Sequence, residues 1–350
     1  MRRELLKLPK TDIHCHLDGS VRPATLLELA RRLKIKLPAD NAEDLKRFVQ
    51  VSPTCRSLKE FLDIFELIYP ILRDPLSVER IAYELVEDCA KENTRHVEAR
   101  FAPVLQESAK FPCEQVVEAA LKGLRRGFKD FGTTSSIIIC MIRSHGPKEN
   151  RRAFDTLKKF FRAQDTLEEP CVVALDLAGD EARYPTRDYA AFYEEARALG
   201  MWTTCHAGET SGTENLRTAL DLQVGRIGHG IHLMEDQKLV AEVARRKVPI
   251  EIGISSNVLT KSVPDLMSHP ALDFHRAGVA ITLNTDDRGI IGSDLTREYE
   301  QALTLGFTYP ELQRLAIDST DHLFLPAHNR QKLRRRFESE AAAVLQEQKT

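Results

Sequence analysis

The stretch Thr11-Asp12-Ile13-His14-Cys15-His16 is a short β-rich run that ends in two histidines two residues apart, and seven more β-rich runs follow it. They lie at Arg95–Phe101, Ser136–Ile142, Val172–Leu177, Trp202–His206, Arg226–His229, Pro249–Ile254 and Ala280–Asp286. Between most of them are amphipathic segments such as Cys113–Phe131 and Tyr189–Leu199, which end at or near glycine as helices tend to. Strands alternating with helices imply a parallel sheet. Eight such units close more readily into a barrel than they spread into an open doubly wound sheet. The expected fold class is therefore α/β, a (β/α)8 TIM barrel.

About 80 residues separate the first run from the second, several times what one crossover helix needs. Leu26–Arg32, Ala42–Val49, Leu58–Ile68 and Val78–Glu92 each carry helical periodicity, so this stretch reads as a helical insertion over about residues 20–92. Strand one delivers it to the C-terminal mouth of the barrel, where it would serve as a lid. Phe61, Leu62 and Phe65 either face a ligand there or form the core of the insertion. No internal repeat, low-complexity tract or Pro/Ser-rich linker divides the chain, and residues 1–350 read as one barrel domain. Arg334-Arg335-Arg336, on a terminal helix, reads as a solvated face.

With 42% hydrophobic and 29% charged residues, the 350-residue chain has the composition of a globular protein, which excludes disordered and fibrous classes. Fifty Lys and Arg balance 52 Asp and Glu, so no net field draws the chain to nucleic acid or an anionic membrane. The seven cysteines are scattered and never spaced C-x-x-C, which argues against a disulfide framework or a zinc ribbon. The N-terminus lacks the apolar stretch of a signal peptide, and no run of about 18 apolar residues occurs. These features lead us to expect a protein of the reducing cytoplasm that binds neither membrane nor nucleic acid.

The polar residues fall at the strand ends. Run one ends in His14-Cys15-His16, run five in His206-Ala207-Gly208-Glu209, run six in Gly228-His229-Gly230 and run eight in Asp286-Asp287. In a (β/α)8 barrel these ends share the face where chemistry is placed. His14 and His16 project the same way and can converge on one ion. With His206 and Asp286 they make three neutral nitrogens and one oxygen, a set suited to Zn²⁺ or a similar divalent ion that keeps a position open for an acidified water. Glu209 is then a candidate general acid, and His229 is placed to orient or deprotonate the water. Asp287 must point away from Asp286 and can meet substrate. Gly179, in Asp176-Leu177-Ala178-Gly179, offers a backbone N–H to a closely approaching ligand. That strand end carries no lysine to bridge a second metal, so one ion per chain is expected.

Taken in order, Thr11–Ser20 with Arg22–Thr25, Asp176–Glu181, His206–Glu209, Arg226–Gly230, Ser255–Asn257 and Leu283–Asp287 resemble the motifs of the adenosine deaminase family, over residues 9 to 300 or so. The resemblance implies an amidohydrolase barrel that hydrolyses adenosine or 2′-deoxyadenosine to inosine or 2′-deoxyinosine and ammonia. It assigns one zinc to His14, His16, His206 and Asp286, with Glu209, His229 and Asp286 as catalytic residues. Glu209 would protonate purine N1 and His229 would orient the water. The substrate-facing set is His16, Asp18, Gly179 and Asp287, with Asp287 at N7, the Gly179 amide at N3 and Asp18 on the ribose 5′-hydroxyl.

Two stretches depart from the family pattern: Gly253–Lys261, and Arg288 where proline usually follows the aspartate pair. Arg288 either attracts an anionic 5′ substituent or pairs with a nearby acid at the surface. The alternative substrates are other 6-aminopurines, namely adenine, N6-modified AMP or aminodeoxyfutalosine. A metal-binding protein without catalysis is the rival from another class, and Glu209 and His229 speak against it.

Overall fold

In the computed structural model, which describes residues 2–347 apart from Pro53, Arg56 and Ser211, eight parallel strands pair in chain order. They are β1 (Lys10–His16), β2 (Thr94–Phe101), β3 (Thr134–Ile142), β4 (Val172–Ala178), β5 (Trp202–Ala207), β6 (Arg226–His229), β7 (Ile250–Ile252) and β8 (Ile281–Leu283). Their apolar runs, such as Ile137–Ile139 of β3, are buried throughout, as strands covered on both faces require. The ring closes just beyond β8. The Asp286 N–H donates to the His14 carbonyl (2.9 Å) and the His16 N–H donates to the Asp286 carbonyl (2.7 Å). Below this bridge the side chain of Asn284 substitutes for a strand, its Oδ1 accepting from the Ile13 N–H at 3.0 Å.

β7 and β8 are shorter than the runs Pro249–Ile254 and Ala280–Asp286 predict. Residues Ile254–Leu259 turn into a helix, and Asp286 has φ of 61°, outside the extended region. Between β1 and β2 lie the helices Pro23–Leu33, Ala42–Val49, Leu58–Asp63, Phe65–Leu72 and Pro75–Lys91. The single helix expected over Leu58–Ile68 is two. Ile64 and Leu67 bond three residues back, to Phe61 and Ile64, and this tightens the chain into a break.

The last insertion helix packs on the helix Cys113–Phe131 through glycines. A Cβ on Gly123 would meet the Glu79 carbonyl at 2.2 Å, and one on Gly127 would meet Val86 at 2.5 Å. This close packing anchors the insertion to the barrel. Of its other helices, Leu58–Asp63 and Phe65–Leu72 reach the mouth, where Phe61, Leu62 and Phe65 all line the cavity described below.

Candidate active site

The strand ends of the C-terminal mouth floor a cavity of about 400 Å³. β1 carries His14 and His16 there, β5 carries His206, and β6 ends on His229. Both His229 (φ 64°) and Asp286 (φ 61°) adopt left-handed backbone. In non-glycine residues this strain clusters at functional sites. Gly228 makes room for the first imidazole, since a Cβ there would lie 2.8 Å from His14 Cε1.

The side chains converge. His16 Nε2 lies 3.2 Å from His206 Nε2, and Asp286 Oδ1 lies 3.3 Å from both His14 Nε2 and His16 Nε2. Ligand atoms of His14, His206, His229 and Asp286 fall within 4.8 Å of one another. Whether these groups fit a metal is decided by their other atoms. His14 Nδ1 bonds Glu251 (2.7 Å) and His206 Nδ1 bonds Asp176 (3.1 Å). Each carboxylate draws the ring proton to Nδ1 and leaves a lone pair on Nε2. His14 Nε2 is buried without a hydrogen-bond partner. Ser256 Oγ donates to Asp286 Oδ2 at 2.6 Å and leaves Oδ1 free. Lone pairs aimed at one point in a buried space repel unless a cation joins them, so the donor set fits a divalent ion.

Buried charges behind the cluster hold these carboxylates ionised. Arg100 reaches Asp176 and Glu251, both at 2.9 Å, and Arg226 reaches Glu251 at 2.5 Å. Burial pushes Glu251 up, but Arg100 and Arg226 outweigh it and hold the carboxyl below its ordinary range. The sequence reading missed Glu251 and Arg100 in any role. The signal was there: Glu98, Arg100, Arg226 and Glu251 are charges inside barrel strands, and charges so placed must pair.

Glu209 stands on the turn leaving β5. The carboxylate of Glu181 fixes this turn by accepting the N–H groups of Gly208 (2.9 Å), Glu209 (2.5 Å) and Thr210 (2.8 Å). Burial, with the charges of Asp286 and Glu181, raises Glu209 to about 8. Its Oε2 lies 3.8 Å from His229 Nε2. Asp287 Oδ1 is buried without a partner and rests on Gly19, where a Cβ would lie 1.6 Å from it. Burial, then the charges of Asp286, Asp18 and Glu209, raise Asp287 well above the carboxylate range. Asp18 lines the cavity and accepts from Gln106 Nε2 at 2.8 Å; burial raises it to about 7. Gly179 also lines the cavity.

Arg288 does not reach this space. It is 7% exposed, and it pairs with Glu92 and with Asp12 (3.4 Å) behind the β8–β1 seam. The expected acid partner is present, but neither a solvent-facing nor a substrate-facing arginine is. Among the described residues, none of 253–261 lines the cavity. The Ser255 side chain turns instead toward Ser293 and Gln301.

Fold and site together define a barrel of the amidohydrolase type. The chain belongs to the adenosine deaminase family, whose model matches residues 9–340. It is 36% identical over 330 residues to an adenosine deaminase of Shigella flexneri, covering 93% of this chain and 97% of that one. Among solved structures it resembles a zinc-bound amidohydrolase from Burkholderia ambifaria (26% identity, TM-score 0.86, 99% of this chain and 93% of that one). It also resembles the N6-methyl-AMP deaminase of Arabidopsis thaliana (27% identity, TM-score 0.82, 97% and 98%).

Proposed function

We propose that the protein hydrolyses the 6-amino group of adenosine and 2′-deoxyadenosine, giving inosine or 2′-deoxyinosine and ammonia. The observation that carries this reading is a buried acid, Glu209, raised to about 8 beside a cluster of imidazole lone pairs in a cavity of nucleoside size. His14, His16, His206 and Asp286 would hold one zinc. When bound, that ion acidifies water at neutral pH and so supplies the nucleophile.

The chain's own groups do the rest. Water adds at C6 as protonated Glu209 gives its proton to N1; of the water's two protons one leaves with the amino group as ammonia and the other restores Glu209, and the tetrahedral carbon collapses to the 6-oxo purine. His229 orients the water. Asp287, kept protonated by its surroundings, has a hydrogen to donate to the N7 lone pair, and the Gly179 N–H serves N3. Asp18 accepts from the 5′-hydroxyl and disfavours a phosphate in its place. The lysine and arginine among the described lining residues, Lys59 and Arg183, are 78% and 77% exposed at the rim and supply no buried phosphate site. The seven thiols, free in this structure, suit a reducing cytoplasm.

The test is loss of the adenine absorbance band and release of ammonia with adenosine, 2′-deoxyadenosine, adenine, AMP and N6-methyl-AMP. The two nucleosides should give the highest kcat/KM. A nucleotide preferred over adenosine tenfold or more would overturn the reading.

A further inference from the structure

The side chain of His229 is wired to a backbone N–H outside the cavity. Ala271 donates its N–H to Nδ1 of His269 at 3.1 Å. A backbone N–H can only donate, so Nδ1 of His269 is an acceptor and the proton of that ring sits on Nε2. Burial lowers His269 to about 4, in keeping with a neutral ring. Nε2 of His269 lies 3.1 Å from Oδ1 of Asn257, which must therefore be the accepting end of the amide. The donating end, Nδ2, lies 3.0 Å from Nδ1 of His229. Each partner settles the next, and the last link leaves Nδ1 of His229 without a hydrogen.

We propose that the relay Ala271–His269–Asn257 fixes His229 as the neutral tautomer protonated on Nε2, so that Asn257 and His269 are positioning residues for the reaction. Two consequences follow. A ring nitrogen that carries a hydrogen cannot ligate a metal, so His229 is excluded from the ligand set although its atoms stand within 4.8 Å of His14, His206 and Asp286, and His16 takes the remaining place. The same hydrogen makes His229 a hydrogen-bond donor toward the attacking water and the oxygen it becomes, and not a base that takes the water's proton. The inference rests on the deaminase reading for the identity of that oxygen, but the tautomer itself does not depend on it.

Protein labelled with 15N-histidine and loaded with zinc reports the tautomer directly through its two-bond 15N–1H correlations. His229 in the wild type should carry its proton on Nε2. Asn257→Asp puts an accepting oxygen on both sides and should move the proton to Nδ1, with kcat at least tenfold lower and zinc content unchanged. His229→Gln retains an N–H donor near the position of Nε2, and it should keep at least tenfold more activity than His229→Ala, both binding one zinc. A wild-type proton on Nδ1 would overturn the relay, and loss of zinc from His229→Ala would overturn the exclusion of His229 from the ligands. Equal activities of the glutamine and alanine variants would overturn the donor role. The spectrum is read without substrate, so a failed relay is distinguishable from a failed deaminase assignment, which would show as no turnover of adenosine by a wild type with the expected spectrum.

Discussion

Replacing Arg288 with methionine should destabilise the barrel and leave catalysis in place. The guanidinium is buried against two carboxylates, Glu92 and Asp12, the second of which also takes the N–H (3.3 Å) and hydroxyl (2.5 Å) of Thr285. Methionine fills the volume of the arginine stem but leaves both acids buried without a cation. Removing one partner of a buried pair costs about 3–5 kcal/mol. At about 2.1 cal/mol/K per residue, the 350 residues unfold with an entropy near 0.7 kcal/mol/K, so the expected fall in Tm is about 4–7 °C. The deficit should depend on pH with a definite sign. Burial raises Asp12 to about 6 even with Arg288 pulling it down, so its contribution to stability is full below the unfolded value near 3.8 and is lost as pH rises through 6. Without Arg288 the carboxyl rises further and that loss deepens. The gap between wild type and variant should therefore be largest at pH 8 and narrow at pH 5. Differential scanning calorimetry at the two pH values measures it, alongside kcat/KM for adenosine and AMP. An unchanged Tm with a tenfold change in the AMP-to-adenosine ratio would refute the reasoning, because it would place Arg288 at the substrate.

Glu209→Gln should cut kcat by about 10²–10⁴ with the metal retained, since the amide keeps the size of the acid without its proton. In the wild type, activity should fall as pH rises and Glu209 ionises, with a midpoint at about 8 or below, because a cation held by the cluster opposes the burial that raises the group. An alkaline limb that persists unaltered in Glu209→Gln would point to another acid. One divalent ion per chain should be found by elemental analysis, and His206→Ala should lose it; two ions, or full activity after thorough chelation, would defeat the assignment. Gln106→Met removes the hydrogen bond at 2.8 Å to Asp18 at nearly constant volume, and should lower kcat/KM for adenosine about tenfold while leaving 5′-deoxyadenosine within twofold. Equal losses on both substrates would mean that Gln106 serves folding alone.

The parts of this site that were legible in the sequence are those whose meaning is local. His14 and His16 announce a shared face by their spacing, and His206, Glu209, His229 and Asp286 announce the mouth by sitting where β-rich runs stop. The ends of β7 and β8 differ from the expected ones for reasons that are also local but invisible in residue type: Ile254–Leu259 coils into a helix directly after β7, and beyond β8 Asp286 takes a positive φ, which aspartate permits without requiring. What the sequence hid are pairings made across the barrel.

Glu251 matters because β7 sets it against Arg100 of β2, Arg226 of β6 and His14 of β1, and no spacing along the chain encodes that meeting. His269, Asn257 and Gln106 were given no role for the same reason: each bears on a candidate residue through one hydrogen bond across the fold, Gln106 on Asp18, and Asn257, held by His269, on His229. Arg288 was misplaced because its acid partners come from β1 and from the turn before β2, far from it in sequence. A charge inside a strand is nevertheless a signal of its own, since burial forbids it unless an opposite charge or a ligand is near. Among the in-strand groups of this barrel, Glu98 and Glu251 match Arg100 and Arg226, and Arg100 also serves Asp176. The imidazole lone pairs and Asp286, just beyond β8, remain as the group that no lysine or arginine pairs with among the described residues. Buried lone pairs left over once the arginines and carboxylates of the strands are paired are what a bound cation would satisfy, and they lie where β1, β5 and β8 end.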